Sequence, residues 1–383
     1  MLKNFFSVKL TALLAALIFA FAAVGLAEVK MYTGVGTCTI GDIGTPAQAK
    51  NIAKEKAMQS AREQAGVYLK TFSRTANTKL ADNEISAITN NIIGLVGEVK
   101  YKQTPGEVNG QPVITYEATL EAKIDTDGIK DWLTRDEKEK VTIIQNNEAV
   151  QKDIKENLQQ IDQLNTQYNQ AAPQEKEQIK QAFNETDKKL LAAQKLDEGL
   201  ALYYKGDYDG AIRLYNEALA LYPDYADAYI SRGNAYDAKG EHDKAIADFN
   251  KALELNPNYA EVYNNRGTAY GNKGDYDKAI ADYSKALELN PNLAKTYYNR
   301  GTVYGKKGDY DRAITDLNKA LELNPDDADT YLNRGVVYGL KGDNERAIRD
   351  LRQALTLAPD NVNAKQALQF IEDGKSAGGN AQP

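Results

Sequence analysis

The chain has 383 residues, 42% hydrophobic and 26% charged, with a formal charge of −7; this is the balance of a folded protein long enough for two or more domains. The negative charge argues against a general nucleic-acid or anionic-lipid surface. One cysteine, Cys38, excludes an internal disulfide or a multi-cysteine metal site. One histidine, His242, argues against histidine-dependent catalysis and histidine-based metal centres.

Residues 1–27 carry a basic start (Lys3, Lys9), an apolar run from Leu10 to Val24, and the small-x-small triplet Gly25-Leu26-Ala27. That order is a secretory signal and predicts export to the periplasm or envelope of a bacterium. Cleavage is expected after Ala27, with an uncleaved N-terminal anchor as the alternative, because the apolar run is nearly long enough to span a bilayer. Cys38 is not a lipoprotein cysteine: Thr37 stands where a small residue is needed.

Residues 28–135 read as a small α+β domain. Glu28 to Ile40 is β-prone. Its glycines at 34, 36 and 41 miss the dinucleotide-binding spacing and are expected to mark kinks or bulges. Pro46 opens a long helix in which Ala49, Ala53, Ala57, Ala61, Ala65 and Leu69 form one ridge, suited to close approach to a sheet. A shorter helix is expected over Asp82 to Ile93. Two strands follow, Leu95 to Lys102 and Ile114 to Ile124, joined by the turn-rich TPGEVNGQP. A last helix is expected over Thr126 to Leu133. This order, with the run AKNIAKEKAMQSAREQAGVYLKTF…DNEISAITNNIIGLVGEV, resembles the N-terminal domain of flagellar assembly protein T and related small envelope lipoproteins, which implies an envelope setting and no catalytic residues.

Residues 136–191 read as a helical connector. Val150, Ile154, Leu158, Ile161, Leu164 and Tyr168 form a narrow seam, and AAPQ at 171–174 breaks the helix. An αα-hairpin packed on itself or on the first repeat is one reading, and a dimerising coiled coil is the other.

From 192 to 361 the chain repeats. Prolines fall at 223, 257, 291, 325 and 359; glycines at 199, 233, 267, 301 and 335 and at 206, 240, 274, 308 and 342; and alanines at 211, 245, 279, 313 and 347. A 34-residue period with this pattern resembles the tetratricopeptide repeat, and implies an all-α superhelix of five helix-turn-helix units: 192–225, 226–259, 260–293, 294–327 and 328–361. In each unit the first glycine lies at the crossing of helices A and B, and the second ends helix A. Asp207, Asp275, Asp309 and Asp343, with Glu241, are expected as N-caps of helix B. His242 sits at the turn position held elsewhere by Tyr208, Tyr276 and Tyr310, and reads as a surface packing residue. A capping helix is expected over 362–372, with Ala364, Ala367, Leu368 and Ile371 on one face, and a disordered tail over 373–383.

Arginine recurs at the seventh position of repeats 2 to 5 (Arg232, Arg266, Arg300, Arg334), where the common pattern has leucine. Aspartate recurs at the twenty-third (Asp248, Asp282, Asp316, Asp350). A ladder of Arg–Asp pairs follows, between helices A and B or between neighbouring repeats.

The resemblance further implies a concave face lined by helix A and open to a peptide. Its positions here include Asn234, Asn264, Thr268, Asn272, Tyr298, Thr302, Lys306, Leu332 and Val336. Glycines 271, 305 and 339 are expected to leave a floor that a peptide backbone can approach. No nucleophile–base pair, metal-ligand set or phosphate loop is found, so no cofactor or metal is implied. The expected function is a non-enzymatic, exported scaffold that binds a protein or peptide partner in envelope assembly. The alternative is a structural spacer or self-assembling envelope component.

Overall fold

The computed structural model describes residues 31–75, 82–124, 132, 135 and 137–378. They fall into two units, one ending at Ala201 and the other beginning at Leu202. The leader and, apart from Trp132, the helix expected over Thr126 to Leu133 lie outside the described residues.

The first unit contains β1 (Met31–Ile40), α1 (Pro46–Thr75), α2 (Asp82–Ile92), β2 (Ile93–Val108), β3 (Gln111–Ile124), α3 (Glu137–Gln170) and most of α4 (Pro173–Tyr203). The strands form an antiparallel sheet in the order β1-β3-β2. Asn109 and Gly110, with φ of 50° and 76°, make a two-residue turn of the type whose twist matches a hairpin. Strand β2 therefore runs through Thr104-Pro105-Gly106, a stretch expected to be loop. Pro105 is tolerated because β2 is an edge strand.

Gly34 and Gly36 are not kinks or bulges, since β1 pairs with β3 without interruption from Met31↔Lys123 to Ile40↔Ile114. The bulge lies in β2, between Val96 and Lys100, around Gly97 at φ 73°. The two glycines of β1 serve helix packing instead. A Cβ on Gly34 would stand 2.0 Å from the Ala57 carbonyl oxygen, and one on Gly36 would stand 2.3 Å from that of Ala53. The alanine ridge of α1 thus rests directly on strand backbone, with all five alanines and Leu69 buried. Thr45 and Gln48 cap α1 reciprocally: Thr45 Oγ1 accepts from the Gln48 N–H, and Gln48 Oε1 accepts from the Thr45 N–H.

The connector is not a separate domain. Its hairpin, α3 and α4, is part of the first unit, and a polar network ties it to α1. Arg62 donates to Glu55, Gln151 and Asp197, while Gln194 donates to Glu55. Further along α1, Gln48 donates to Asn184 and Asp187, and Lys56 pairs with Asp162 at 2.7 Å. The whole seam from Val150 to Tyr168 is buried, so within this chain it is core and not a free dimerising stripe. Burial pushes the Asp187 and Asp197 carboxyls above the usual range, against the Gln48 hydrogen bond and the Arg62 charge respectively. Burial also pushes the Cys38 thiol up to about 12, which leaves it an inert core residue.

Helix α4 continues without a break from the connector into helix A of the first repeat, so no boundary falls at 191/192. The second unit then alternates B and A helices: α5 (Tyr208–Leu221), α6 (Ala226–Ala238), α7 (His242–Leu255), α8 (Ala260–Lys273), α9 (Tyr276–Leu289), α10 (Ala294–Lys306), α11 (Tyr310–Leu323), α12 (Ala328–Leu340), α13 (Asn344–Leu357) and α14 (Val362–Gly378). Helix α14 includes residues 373–378, which the sequence led us to expect as disordered; residues 379–383 lie outside the described set.

Candidate functional site: the A-helix face of the repeats

Each repeat is closed by the same local chemistry. Gly206, Gly240, Gly274, Gly308 and Gly342 hold φ between 77° and 87° at the end of helix A, a conformation that side chains resist. Asp207, Asp309 and Asp343 accept from the backbone N–H groups of Gly210, Arg312 and Arg346, capping helix B. Asp275 and Glu241 stand at the same position without a side-chain cap bond; Asp275 pairs with Lys278, and Glu241 with Lys239 and Lys244. At the crossing of the two helices, a Cβ on Gly233 would stand 2.7 Å from the Phe249 ring. One on Gly301 would stand 3.0 Å from Leu317.

Arg266 lies inside this joint. Its Nε and Nη2 donate to the two oxygens of Asp282 at 2.7 Å each, and its Nη1 donates to Asn250 of the preceding repeat at 2.6 Å. Arg232, Arg300 and Arg334 repeat the arrangement, with Asp248, Asp316 and Asp350 as carboxylates and Asn216, Ser284 and Asn318 as third partners. The ladder therefore joins helix A to helix B within a repeat and reaches the neighbouring repeat as well. Each guanidinium also lies 5.3–5.7 Å from the ring of the tyrosine three residues before it. The four aspartates are buried, and the hydrogen bonds that Arg266 donates to Asp282 raise its pKa above the ordinary value. This fork geometry suits arginine and not lysine.

A second ladder, not anticipated from the sequence, crosses between repeats. Lys239, Lys273, Lys307 and Lys341 pair with Asp209, Asp243, Asp277 and Asp311 of the repeat before. Both sets recur every 34 residues, so a signal is present; it is hidden because the partners lie 30 residues apart on different helices. His242 has a partner too, with Nδ1 2.7 Å from Asp237 Oδ1.

The residues expected to meet a ligand separate into two groups. Most are committed to holding neighbouring A helices together. Asn264 is 8% exposed; it donates to Asn265 and accepts from Thr296 and Asn299. Thr268 donates to the Asn264 carbonyl and accepts from the Tyr283 hydroxyl. Asn234 accepts from Asn265, and Thr302 from Asn333, across successive repeats. Tyr298 and Leu332 are half-buried. Asn264 is thus a structural residue: burial and satisfied hydrogen bonds leave it nothing to offer a ligand.

The glycines at 271, 305 and 339 do not form an open floor. A Cβ on Gly271 would meet Val303, one on Gly305 would meet Val337 at 3.2 Å, and one on Gly339 would meet Ile371 at 2.9 Å. They admit the next A helix. The same contacts show that α14 stacks as a sixth A helix, with Ile371 in the place of Val303 and Val337.

The second group is exposed and uncommitted. Asn272 and Lys306 are exposed and have no hydrogen-bond or ion-pair partner among the described residues. Val336 (36%) and Leu340 (59%) of α12 are exposed, as is Phe370 of α14 (81%). Phe370 is absent from the expected face, since it lies past the last full repeat. Its position in the 34-residue count, matching Val336, Thr302, Thr268 and Asn234, is nevertheless readable.

A helix-turn-helix solenoid with pinned joints and one unpinned face defines the class. Over residues 196–361 the chain belongs to the tetratricopeptide repeat family: family profiles match 196–260, 260–293, 294–327 and 328–361. Among solved structures, it is 27% identical to YrrB, described as a tetratricopeptide-repeat protein with an unusual peptide-binding site (46% of this chain, 90% of that one, TM-score 0.40). It is 31% identical to MamA (42% and 93%, TM-score 0.39). It is 24% identical to a tetratricopeptide-repeat protein of Thermus thermophilus (47% and 98%, TM-score 0.40). No curated protein sequence matches.

Proposed function

We propose that this chain is a non-enzymatic scaffold that binds a protein or peptide segment on the A-helix face of its repeats. One observation carries the reading. Within an otherwise regular unit, the side chains exposed on that face change from repeat to repeat: Asn272 in the third, Lys306 in the fourth, Leu340 in the fifth. A surface that only had to remain solvated gains nothing from an exposed Leu340 on α12 and an exposed Phe370 on α14, the next A helix, and apolar exposure on one face marks interaction surfaces. Membership of a family of stacked helical repeats supports the same reading, since stacking creates extended binding surfaces. We further propose that the scaffold is exported and serves in the bacterial cell envelope, on the strength of the signal pattern in residues 1–27, with the first unit docking to envelope machinery.

The test is site-specific photocrosslinking in the full chain. A crosslinker at Asn272 is expected to capture a discrete partner, and one at the exposed Lys251 on helix B is expected to capture none. Equal capture from both positions contradicts the proposal. Mass measurement of the mature chain checks export: loss of residues 1–27 is the expected result.

A further inference from the structure

The exposed residues at the C-terminal end of the A-helix face form an ordered strip. Asn272, Lys306 and Leu340 hold the same place in α8, α10 and α12. Val336 lies one turn before Leu340. The contact between Ile371 and Gly339 fixes the register of α14, so that Phe370 holds in that helix the place that Val336 holds in α12. Passing from α10 to α14, the strip presents a cation, then an aliphatic pair, then an aromatic ring.

The charge in this strip is unusual for the repeats. Lys307, the neighbour of Lys306, is bound to Asp277, as each of its counterparts is bound to an aspartate. Lys306 has no such partner among the described residues. A lysine left unpaired beside exposed leucine and valine is complementary to a ligand carboxylate that sits next to apolar side chains. Lys295, the other unpaired lysine of α10, shares its row with the acids Glu261 and Asp329 of the adjacent helices, so Lys306 is the better anchor. Adjacent packed helices lie ~10 Å apart, and an extended chain in the polyproline II conformation advances ~3.1 Å per residue and turns every third side chain to the same face. A ligand crossing the strip therefore needs its contacting side chains about three residues apart.

Resting on the groove reading above, we infer that the strip Lys306–Val336/Leu340–Phe370 is the anchoring subsite for an extended peptide bearing a carboxylate followed, at about three-residue steps, by two bulky apolar side chains.

The experiment titrates the full chain with three short fluorescein-labelled peptides, each made in both chain directions. One carries glutamate, leucine and phenylalanine at that spacing in a serine background. In the second, lysine replaces the glutamate, and in the third, serine replaces both apolar residues. The first is expected to bind about tenfold or more tighter than either other peptide. Lys306→Glu is expected to reverse the preference between the first two, and Leu340→Ser with Phe370→Ser to abolish binding of the first. Because all three positions are exposed, unchanged thermal melts will show that the variants fold. Equal affinity for the glutamate and lysine peptides overturns the inference, as does binding untouched by Phe370→Ser. If binding survives Phe370→Ser but is blocked by Asn272→Trp, the subsite is wrong and the groove reading stands. If neither change matters, both fall; if no peptide binds, the inference falls and crosslinking at Asn272 decides the groove reading. A concentration-dependent dimer that Phe370→Ser dissociates, without peptide binding, would make a second copy of the chain the occupant and also overturn the inference.

Discussion

The two units both bury arginine–carboxylate pairs, and they do so in opposite ways. In the first unit Arg62 holds together α1, α3 and α4 through partners as far away in sequence as Asp197, in an arrangement used once. In the second, Arg232, Arg266, Arg300 and Arg334 each find their carboxylate 16 residues along, on the helix to which a single turn connects them. The first network closes only where a long hairpin packs on α1. The second closes locally, and each closed joint templates the next. The difference teaches where the determinants of structure reside: in iterated local contacts for the repeats, and in single long-range contacts for the N-terminal unit.

Four changes test that contrast, from the largest expected effect to the smallest. Gly36→Val drives a side chain into the backbone of α1 and is expected to cost more than about 4 kcal/mol in the first unit. Circular dichroism melts should show the repeat transition unchanged, and loss of both transitions would break the comparison. Arg266→Ala strands the buried Asp282 and is expected to destabilise the repeats by about 2–4 kcal/mol, most of it recovered in the Arg266→Leu/Asp282→Leu double variant. Failure of the double variant to recover would mean that the arginine does more than satisfy its partner, for instance through Asn250.

Alkaline titration sharpens the contrast by sign. In the first unit the Cys38 thiol, pushed up to about 12 from an ordinary 9.0, stays protonated in the fold and ionises first in the unfolded chain. Its stabilising contribution is full below about pH 9 and is lost as pH rises towards 12. In the second, burial pushes Tyr283 up to about 12 from an ordinary 10.0, so its contribution begins to fall about one unit later. Denaturant midpoints measured across pH 8 to 11 should therefore decline earlier for the first unit, and simultaneous decline would count against this assignment. Smallest is Lys273→Ala, which removes one exposed rung to Asp243 and should cost at most about 1 kcal/mol, less at high salt.

The contrast also explains which features are legible in the amino-acid sequence. The repeats, their crossing glycines and the Arg–Asp partners are legible because each appears several times at a fixed interval. The alanine ridge of α1 is legible as a helix period. What it packs against is not, because Gly34 and Gly36 look the same in a bulge and under a helix. The docking of the connector on α1 is illegible for a further reason: Arg62, Gln151 and Asp197 have no periodicity, and any of the chain's 54 acidic residues could serve as a partner. On the A-helix face, Asn272 and Lys306 can be found from the repeat pattern, but Asn264 and Thr268 look equally available. Their commitment depends on Thr296 and Asn299 reaching across from the next repeat, a three-dimensional fact. Phe370 is reached only by carrying the 34-residue count past Pro359, the last proline of the pattern.

Two sets of residues divide two jobs: the Arg–Asp joints hold the solenoid, and the Lys306–Phe370 strip is the proposed ligand subsite. Thermal melting of the full chain with and without the glutamate–leucine–phenylalanine peptide tests that division in one assay, because a ligand that binds only the folded state raises the melting temperature. Arg266→Leu/Asp282→Leu should keep the full peptide-induced rise whatever its own melting temperature. Lys306→Glu/Phe370→Ser should melt like the unaltered chain and lose the rise. A joint variant that loses the rise, or a strip variant that keeps it, would contradict the account.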